Sequence, residues 1–256
     1  YPSAAEAGAA LAELAAAAAA EAIAARGHFA VALAGGSLVK LLAPLKERTD
    51  IAWDRWHVAW VDERCVPHSD AESNYGGARA ALLSSVPIPA ENVLAIDEGA
   101  CAGPSPAAAA AEEYESRLRA LPSDILPRSS SASSAAAPSS APLPVFDLLL
   151  LGFGPDGHVA SLFPGHALVR VDDGRWVLPI EDSPKPPPKR ITLSLAALRA
   201  ARLKCFAAVG EGKAEMAARL LRDADAAEEL PAAMLGANGG DDVVFVMDAA
   251  AAAKLA

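Results

Sequence analysis

The segment Leu148–Pro164, LLLLGFGPDGHVASLFP, joins an apolar run to a polar loop that could carry out acid–base chemistry. Its four leucines predict the end of a buried strand, and the glycines after them let the chain turn tightly. His158 lies in this loop, where Asp156 can orient it. An unperturbed histidine has a pKa of about 6.5, so it can accept a proton from water near neutral pH. A lone histidine is more often structural, but this position favours His158 as the catalytic residue.

The same loop matches the GxGxxG pattern of dinucleotide-binding folds at Gly152–Gly157, and Asp172 follows at about the expected distance. In those folds the last glycine opens a helix whose amide groups hold the pyrophosphate. Here Phe163-Pro164-Gly165 interrupts such a helix, and Pro155 removes one amide donor. The sequence therefore argues against a dinucleotide site.

Other loops carry groups that suit a phosphate. Gly35, Gly36 and Ser37 lie between a predicted strand and a predicted helix, where amides, a hydroxyl and a helix N-terminus can hold an anion. A tight turn without a ligand is equally consistent with this pattern. Arg64 and Lys213 follow two other strands, and either one alone is more typical of a solvated surface charge. Together with the glycine loop they favour a phosphorylated small substrate.

The proline-rich segment Ser183–Thr192, SPKPPPKRIT, carries Lys185, Lys189 and Arg190 on a stiff backbone. It could be a rigid crossover, an exposed ligand for a proline-binding partner, or a support that fixes cations at the edge of a pocket. The sequence leaves these alternatives open.

Because the candidate residues lie far apart in the sequence, the fold must bring them together. Short apolar runs alternate with helical stretches such as Ala4–Arg26, and the last run precedes an alanine-rich segment that predicts a helix. Such alternation predicts a parallel sheet with helices on both faces. Ligands of these sheets bind beyond the carboxyl ends of the strands, where every motif above lies. The predicted strands are His28–Ala34, Trp56–Val61, Val145–Leu151, Leu203–Val209 and Val243–Met247.

Composition excludes several function classes. The 256 residues are 53% hydrophobic, and their net charge of −10 argues against a nucleic-acid binder or a protein of anionic membranes. Cys65, Cys101 and Cys205 are widely spaced, which fits a reducing compartment and argues against a disulfide framework or a zinc site. GxSxG and HExxH motifs are absent from the sequence, so a histidine-activated water is the simplest chemistry left.

We expect one domain over residues 1–256, with a Ser/Ala/Pro-rich tract at 121–144 that predicts a disordered surface insertion. We expect no membrane span, since the apolar run Ala15–Ala20 is short. A cytoplasmic location is expected. Because the sequence begins at Tyr1 rather than Met, a plastid or another organelle stays open as an alternative.

Five motifs, taken in order, resemble the 6-phosphogluconolactonase family, which shares its superfamily with the glucosamine-6-phosphate deaminases. The match runs over nearly the whole chain apart from the Ser/Ala/Pro-rich tract. The resemblance implies a three-layer α/β sandwich with a mostly parallel, Rossmann-like central sheet, without metal or organic cofactor. We also expect a monomer or a weak homo-oligomer. The motifs are LAGGS at 33–37, WVDERCVPHSDAESNYG at 60–76, LLGFGPDGHVASLFPG at 150–165, SPKPPPKRITLSL at 183–195 and VGEGKAEM at 209–216.

The resemblance implies a carboxylic ester hydrolase that converts 6-phospho-D-glucono-1,5-lactone to 6-phospho-D-gluconate in the oxidative pentose phosphate pathway. His158 would activate the water that attacks the lactone carbonyl. Arg64 and Lys213 would hold the phosphate beside the loop Gly35–Ser37. Residues expected to shape the pocket or contact the substrate are Asp62, Asn74, Asp156 and Arg190.

Two alternatives stay open beside this interpretation. The first is glucosamine-6-phosphate deaminase-like aldose/ketose chemistry, but in that branch a glutamate follows the histidine by five residues, where this chain has Phe163. An apolar ring cannot stabilise a charged imidazole as a carboxylate does. The deaminase motif also reads DEY where this chain has DER at 62–64. The second alternative is a non-catalytic sugar-phosphate-binding protein, although the expected base is present.

Overall fold

The computed structural model describes residues 1–129, 141–236 and 242–255. Within them, five strands form a wholly parallel main sheet in the order β2-β1-β4-β7-β8. Every residue of β1, β2 and β4 is buried, as expected for strands covered on both faces. The predicted mixed α/β fold with a mostly parallel central sheet is confirmed. The strands are β1 (Phe29–Leu33), β2 (Trp56–Trp60), β3 (Asp62–Arg64), β4 (Leu148–Leu151), β5 (Val177–Ile180), β6 (Arg190–Leu193), β7 (Leu203–Ala208) and β8 (Val243–Met247).

The first helix shows how local sequence sets element boundaries. Ser3 caps it by accepting a hydrogen bond from the amide of Glu6, and Gly27 ends it in the left-handed region at a φ of 82°. The helix packs on β1 and β8 through a face of alanine and leucine. The α-helices are α1 (Ala4–Arg26), α2 (Leu38–Leu41), α3 (Asn74–Ala81), α4 (Pro106–Ala120), α5 (Leu195–Arg199), α6 (Ala214–Arg222) and α7 (Ala226–Glu229).

Helix α1 bears on the expectation that the chain has no membrane span. Its 23 residues contain an 18-residue window with a mean hydropathy of 1.5, which is apolar enough to cross a membrane by length and composition alone. A helix of a protein core meets the same criterion, so the expectation stays a prediction. In the fold its buried residues lie against the protein core.

A second, smaller sheet contains β3, β6 and β5 in that order, and its strands are antiparallel. The sequence-based interpretation placed Asp62-Glu63-Arg64 in a loop after a strand. They form β3 instead, because a three-residue strand is too short to show an alternating pattern. In its register Asp62 lies opposite Thr192 and Arg64 lies opposite Arg190.

Two other expectations concern chain segments. The alanine-rich stretch after β8 forms hydrogen-bonded turns over 249–254 rather than a helix. A run this short gains too few hydrogen bonds to offset the free-energy cost of helix nucleation. The flanks of the predicted insertion are paired: the Ser129 amide donates to the Leu143 carbonyl at 2.8 Å, and the Val145 amide donates to Pro127 at 2.8 Å. The prediction of disorder covers residues 121–144, of which 121–129 and 141–144 are described; residues 130–140 lie outside the described residues, and there it stays a prediction.

The order of the main sheet locates its binding crevice. From β1 the chain continues to β2 on one side, whereas β4 pairs with β1 on the other side. A crevice forms where the strand order reverses in this way, beyond the carboxyl ends of the two strands. The loops that follow β1 and β4 carry Gly35–Ser37 and Gly152–His158, so both motifs meet at this point.

Candidate active site

A cavity of about 230 Å³ lies beyond the carboxyl ends of β1 and β4. The structure brings all the candidate site residues together here, although they come from five separate parts of the chain. Asp156 does not line the cavity but contacts His158, which does. The candidate residues that line it are Gly35, Gly36, Ser37, Asp62, Arg64, Asn74, His158, Arg190 and Lys213.

The glycine loop is held against β3 by Asn74, the first residue of α3. The side-chain Nδ2 of Asn74 donates to the Asp62 backbone carbonyl at 2.9 Å. A Cβ on Gly35 would overlap the Asn74 side chain, so the loop and this side chain lie close together. Glu63, buried in the second sheet, accepts the backbone amides of Asn74 and Tyr75 at 2.8 and 2.7 Å. Sequence reasoning missed this role of Glu63, which fixes the start of α3 beside the cavity.

His158 is oriented by Asp156 and by its own loop. The two side chains meet at 2.5 Å between Nδ1 and Oδ1, so we assign the Nδ1 proton as the one donated to the carboxylate. The Gly154 amide donates to the His158 carbonyl at 3.0 Å, and Gly157 turns the chain at a φ of 81°. The other ring nitrogen, Nε2, has no hydrogen-bond partner among residues 1–129, 141–236 and 242–255. It therefore carries a free lone pair.

Burial sets the charge state of this histidine. Burial lowers the pKa of His158 below its ordinary value, and although Asp156 raises it, the ammonium of Lys185 at 3.1 Å from Nδ1 lowers it further. Burial raises the pKa of Asp156, but hydrogen bonds from His158 and Lys185 outweigh that effect and bring it to about 2. Near neutral pH the pair is thus a neutral imidazole beside a carboxylate, which is the form a general base requires.

An aromatic ring covers one side of the histidine. The rings of His158 and Phe163 lie 4.8 Å apart between centroids, and Phe163 is buried. This is the position that a glutamate occupies in the deaminase pattern. No carboxylate other than Asp156 lies within salt-bridge distance of His158 in the described part of the chain. The surroundings therefore favour a neutral imidazole.

Two arginines face the cavity from neighbouring strands. Arg64 and Arg190 lie directly opposite each other in β3 and β6, an arrangement that is destabilising for like charges unless an anion compensates it. Arg190 is 3% exposed, and no carboxylate within the described ranges lies within 4 Å of it. Burial, followed by the charge of Arg64, lowers the pKa of Arg190. The Nε atom of Arg64 is buried, and no group in the described part of the chain forms a hydrogen bond with it. Both observations indicate that the cavity accepts an anion.

Lys213 adds a third cation from the loop after β7. Its ammonium donates to the Phe153 carbonyl at 2.6 Å, which aims it towards the loop that carries His158. Burial and the nearby charge of Lys185 lower the pKa of Lys213. A bound anion would reduce the electrostatic repulsion between Lys213 and Lys185.

The proline-rich segment supports this charge cluster. The carbonyls of Lys185, Pro186 and Pro187 accept hydrogen bonds from the Arg190 guanidinium at 2.8–2.9 Å. The Lys185 ammonium lies 3.0 Å from Asp156. Of the alternatives for this segment, its contacts match the one in which it fixes cations at the pocket edge. Lys189 is exposed and does not line the cavity.

A buried serine links the two sides of the site, and sequence reasoning missed it. The Ser161 hydroxyl donates to Asp62 at 2.7 Å and accepts from Arg190 at 3.3 Å. Ser161 follows His158 by three residues, but a lone serine in a loop carries no sequence signal of such a role. Asp62 is therefore connected to Arg190 through Ser161, and it also lines the cavity.

As for metals, no cluster of three or more His, Cys, Asp or Glu side chains suited to an ion occurs among the described residues.

Comparison with known proteins gives concordant results. The model of the glucosamine-6-phosphate isomerase/6-phosphogluconolactonase family matches residues 2–245. The 6-phosphogluconolactonase of Rattus norvegicus is 44% identical over 98% of this chain and 91% of that protein. The chloroplastic 6-phosphogluconolactonase 3 of Arabidopsis thaliana is 42% identical over 90% of this chain and 66% of that protein. The solved structure of 6-phosphogluconolactonase from Trypanosoma brucei aligns with a TM-score of 0.79 at 30% identity, covering 100% of this chain and 97% of that one.

The glycines of the histidine loop allow a matched steric test. A Cβ at Gly154 would overlap the His158 ring and the Asp156 carboxylate, whereas a Cβ at Gly152 would meet no atom within 4 Å. We expect Gly154→Ala to break the hydrogen bond between His158 and Asp156, and Gly152→Ala to preserve it. Proton NMR of the low-field Nδ1–H resonance measures this. An unchanged resonance in Gly154→Ala would show that the loop does not constrain the ring as described.

The titration of His158 is a second test. Because burial lowers its pKa, the imidazole signals should change with a midpoint below the ordinary 6.5, and protein below that midpoint should carry the imidazolium. Asp156→Asn should move the midpoint lower still, since the carboxylate raises this pKa. NMR titration of His158, with His166 as an internal comparison, measures both values. A midpoint above 6.5 in the unmodified protein would contradict the neutral-base assignment.

Proposed function

This chain belongs to the glucosamine-6-phosphate isomerase/6-phosphogluconolactonase family and hydrolyses a lactone of a phosphorylated sugar, and we propose that His158 activates the water for this reaction. The reaction converts 6-phospho-D-glucono-1,5-lactone to 6-phospho-D-gluconate, a step of the oxidative pentose phosphate pathway. The observation that carries the proposed mechanism is a neutral imidazole in a cavity lined by cations, with an Nε2 that forms no hydrogen bond to any described residue.

The cations of the cavity are proposed to bind the phosphate of the substrate. Arg64 offers a buried Nε that has no hydrogen-bond partner among the described residues, Lys213 lines the cavity, and Arg190 contributes a buried positive charge. Charge-assisted hydrogen bonds to a phosphate are stronger than those between neutral groups. The phosphate lies far along the sugar from the reacting carbon, so binding it can place the carbonyl near His158 without taking part in the chemistry.

The proposed reaction is a general-base hydrolysis. Nε2 of His158 takes a proton from water as the water oxygen forms a bond to the lactone carbon. The carbonyl electron pair moves to its oxygen and gives a tetrahedral oxyanion. When this collapses, the bond between the carbon and the ring oxygen breaks, and the imidazolium returns its proton to that oxygen. The acid that results ionises to 6-phospho-D-gluconate, while Asp156 keeps the ring in one tautomer and stabilises its transient charge.

Phe163 is the observation that separates this proposal from deaminase-like chemistry. Its ring packs on His158 where a carboxylate would be needed to support ring opening. A non-catalytic binding protein is disfavoured because the imidazole, its orienting carboxylate and the cations all meet in one cavity. Similarity to a protein named chloroplastic leaves both a cytoplasmic and a plastid location consistent with this function. We propose a monomer or a weak homo-oligomer that acts without a membrane or a nucleic acid.

The reaction and the base are tested together by kinetics. His158→Ala should lower kcat by about 10²–10⁴-fold with little change in KM, since general-base assistance contributes that much. Lactone hydrolysis is measured by coupling to oxidation of 6-phosphogluconate, after subtraction of spontaneous hydrolysis, and ammonia release from glucosamine 6-phosphate is assayed in parallel. His166→Ala, outside the cavity, is the matched control and should retain kcat. Near-normal turnover by His158→Ala would remove His158 as the base, and ammonia release would favour the deaminase alternative.

The phosphate contact predicts a different kinetic effect. Arg64→Ala removes a charged partner of the substrate and should raise KM about 10- to 100-fold, the range expected for a hydrogen bond to a charged group, with kcat less affected. Arg175→Ala is the control, because Arg175 pairs with Asp173 at 2.7 Å and does not line the cavity. Steady-state kinetics with the lactone measures both. If KM in Arg64→Ala equalled that of the control, Arg64 would have no place in the phosphate site.

A further inference from the structure

The ammonium of Lys185 contacts side chains of the histidine loop, although Lys185 itself belongs to the proline-rich segment. Its Nζ lies 3.0 Å from Asp156 Oδ2 and 3.1 Å from His158 Nδ1. The centroid of the Phe163 ring is 5.9 Å from the same atom, within the range of a cation–π contact. Lys185 does not line the cavity, so it is placed to act on the loop rather than on the substrate.

The backbone of Lys185 is held in place by its own segment. The Ser183 hydroxyl donates to the Lys185 carbonyl at 2.9 Å, and the Lys185 amide donates to that hydroxyl at 3.3 Å. The Ser183 amide donates to the Pro188 carbonyl at 3.1 Å, which closes the turn. The Lys185 carbonyl also accepts a hydrogen bond from Arg190 Nη2 at 2.9 Å. One residue therefore joins an arginine of the cavity to the histidine loop.

The contact between the ammonium and the His158 ring is not a hydrogen bond in the Nδ1–H tautomer. Nδ1 then carries the proton that Asp156 Oδ1 accepts, and an ammonium has only donors. Lys185 is therefore held beside the ring by the other oxygen of Asp156. A carboxylate that turned away from the ring would no longer select this tautomer, and a proton on Nε2 would block the lone pair that the base requires.

The charges around the His158 ring oppose each other at close range. Burial lowers the pKa of His158, Asp156 raises it, and Lys185 lowers it again. An ammonium 3.1 Å from the ring makes the imidazolium a stronger acid, so a proton taken from water passes more readily to the ring oxygen of the lactone. The charged side chains that contact this ring or line the cavity are Asp156 of the histidine loop, Lys185, Asp62 and Arg64 of β3, Arg190 of β6 and Lys213 after β7.

We propose that Lys185 is a positioning residue for lactone hydrolysis. Its ammonium holds the Asp156 carboxylate in the orientation that accepts the Nδ1 proton of His158, and its positive charge promotes return of the second ring proton to the substrate. Lys185 forms no covalent bond, and the transferred proton passes from water to Nε2 and from Nε2 to the ring oxygen. This role rests on the proposed function of His158 as the base.

The kinetic test removes the charge but keeps a long side chain. Lys185→Met should lower kcat about 10-fold, a part of what general-base assistance contributes, with KM nearly unchanged because Lys185 does not line the cavity. The acid limb of the pH profile of kcat/KM should move up by about one pH unit, since no ammonium then opposes protonation of the ring. Lys185→Arg keeps the charge and should retain both values. Lys189→Met, exposed in the same segment, should match the unmodified protein.

Two kinetic outcomes would overturn the proposal. One is an acid limb that does not move in Lys185→Met, because a merely structural role lowers kcat without changing the pH at which His158 takes up a proton. The other is a raised KM with an unmoved limb, which would assign Lys185 to the phosphate of the substrate instead.

NMR of the imidazole nitrogens tests the same role without turnover. In Lys185→Met the titration midpoint of His158 should lie about one pH unit above that of the unmodified chain, and part of the neutral ring should carry its proton on Nε2. Lys189→Met is again the control. An unchanged midpoint would overturn the proposal. If the unmodified chain hydrolysed no lactone, the proposed function would fail, whereas a raised midpoint in Lys185→Met would still support the action of Lys185 on His158.

Discussion

The arrangement of the site depends on placing Arg64 and Arg190 opposite each other in neighbouring strands. Bringing two guanidinium groups together costs free energy, and burial of Arg190 increases that cost. Backbone carbonyls of the proline-rich segment and the Ser161 hydroxyl offset part of it. None of these groups carries a negative charge. Glu72 pairs with Arg64 at 3.2 Å, so Arg190 is the guanidinium that has no carboxylate partner among the described residues, and a phosphate is the ligand that would supply the missing negative charge.

The placement of Arg64 opposite Arg190 explains the presence of a second sheet. The parallel main sheet supplies the loops at its carboxyl edge and with them His158, but strands buried on both faces offer no place for charged side chains. The short antiparallel sheet begins where β2 ends and carries Asp62 and Arg64 into the cavity from the side. The candidate base thus comes from a loop of the main sheet, whereas the two arginines come from the second sheet. The cavity lies where the two sheets meet.

The net charge of the whole chain is opposite in sign to the charge of the cation cluster in the cavity. A protein with a net charge of −10 repels phosphorylated metabolites over most of its surface. Within the cavity, Arg64, Arg190 and Lys213 reverse the sign, while Asp62 is engaged with Asn74 and Ser161. The low pKa of Asp156 keeps it ionised but paired with His158 and Lys185. The cations of the cavity are therefore available to a ligand, whereas the carboxylates of Asp62 and Asp156 already have partners within the protein.

The sequence by itself determined the parallel α/β scaffold, the bounds of α1 and the glycine loop at Gly35–Ser37, and it named His158 as the candidate base. These features depend on local patterns, namely apolar runs, capping residues and glycine positions, which act within a few residues. It also argued against a dinucleotide site, because Pro164 stops the required helix; the chain there makes turns and a short bridge.

Only the tertiary structure decided that residues 62–64 form a strand, that Arg64 meets Arg190, and that Ser161 joins Asp62 to Arg190. Each of these contacts joins segments far apart in the chain, and its register is set by packing of whole elements rather than by the residues in contact. A local pattern therefore has no means of encoding them, which is why the residues could be named from the sequence but their partners could not.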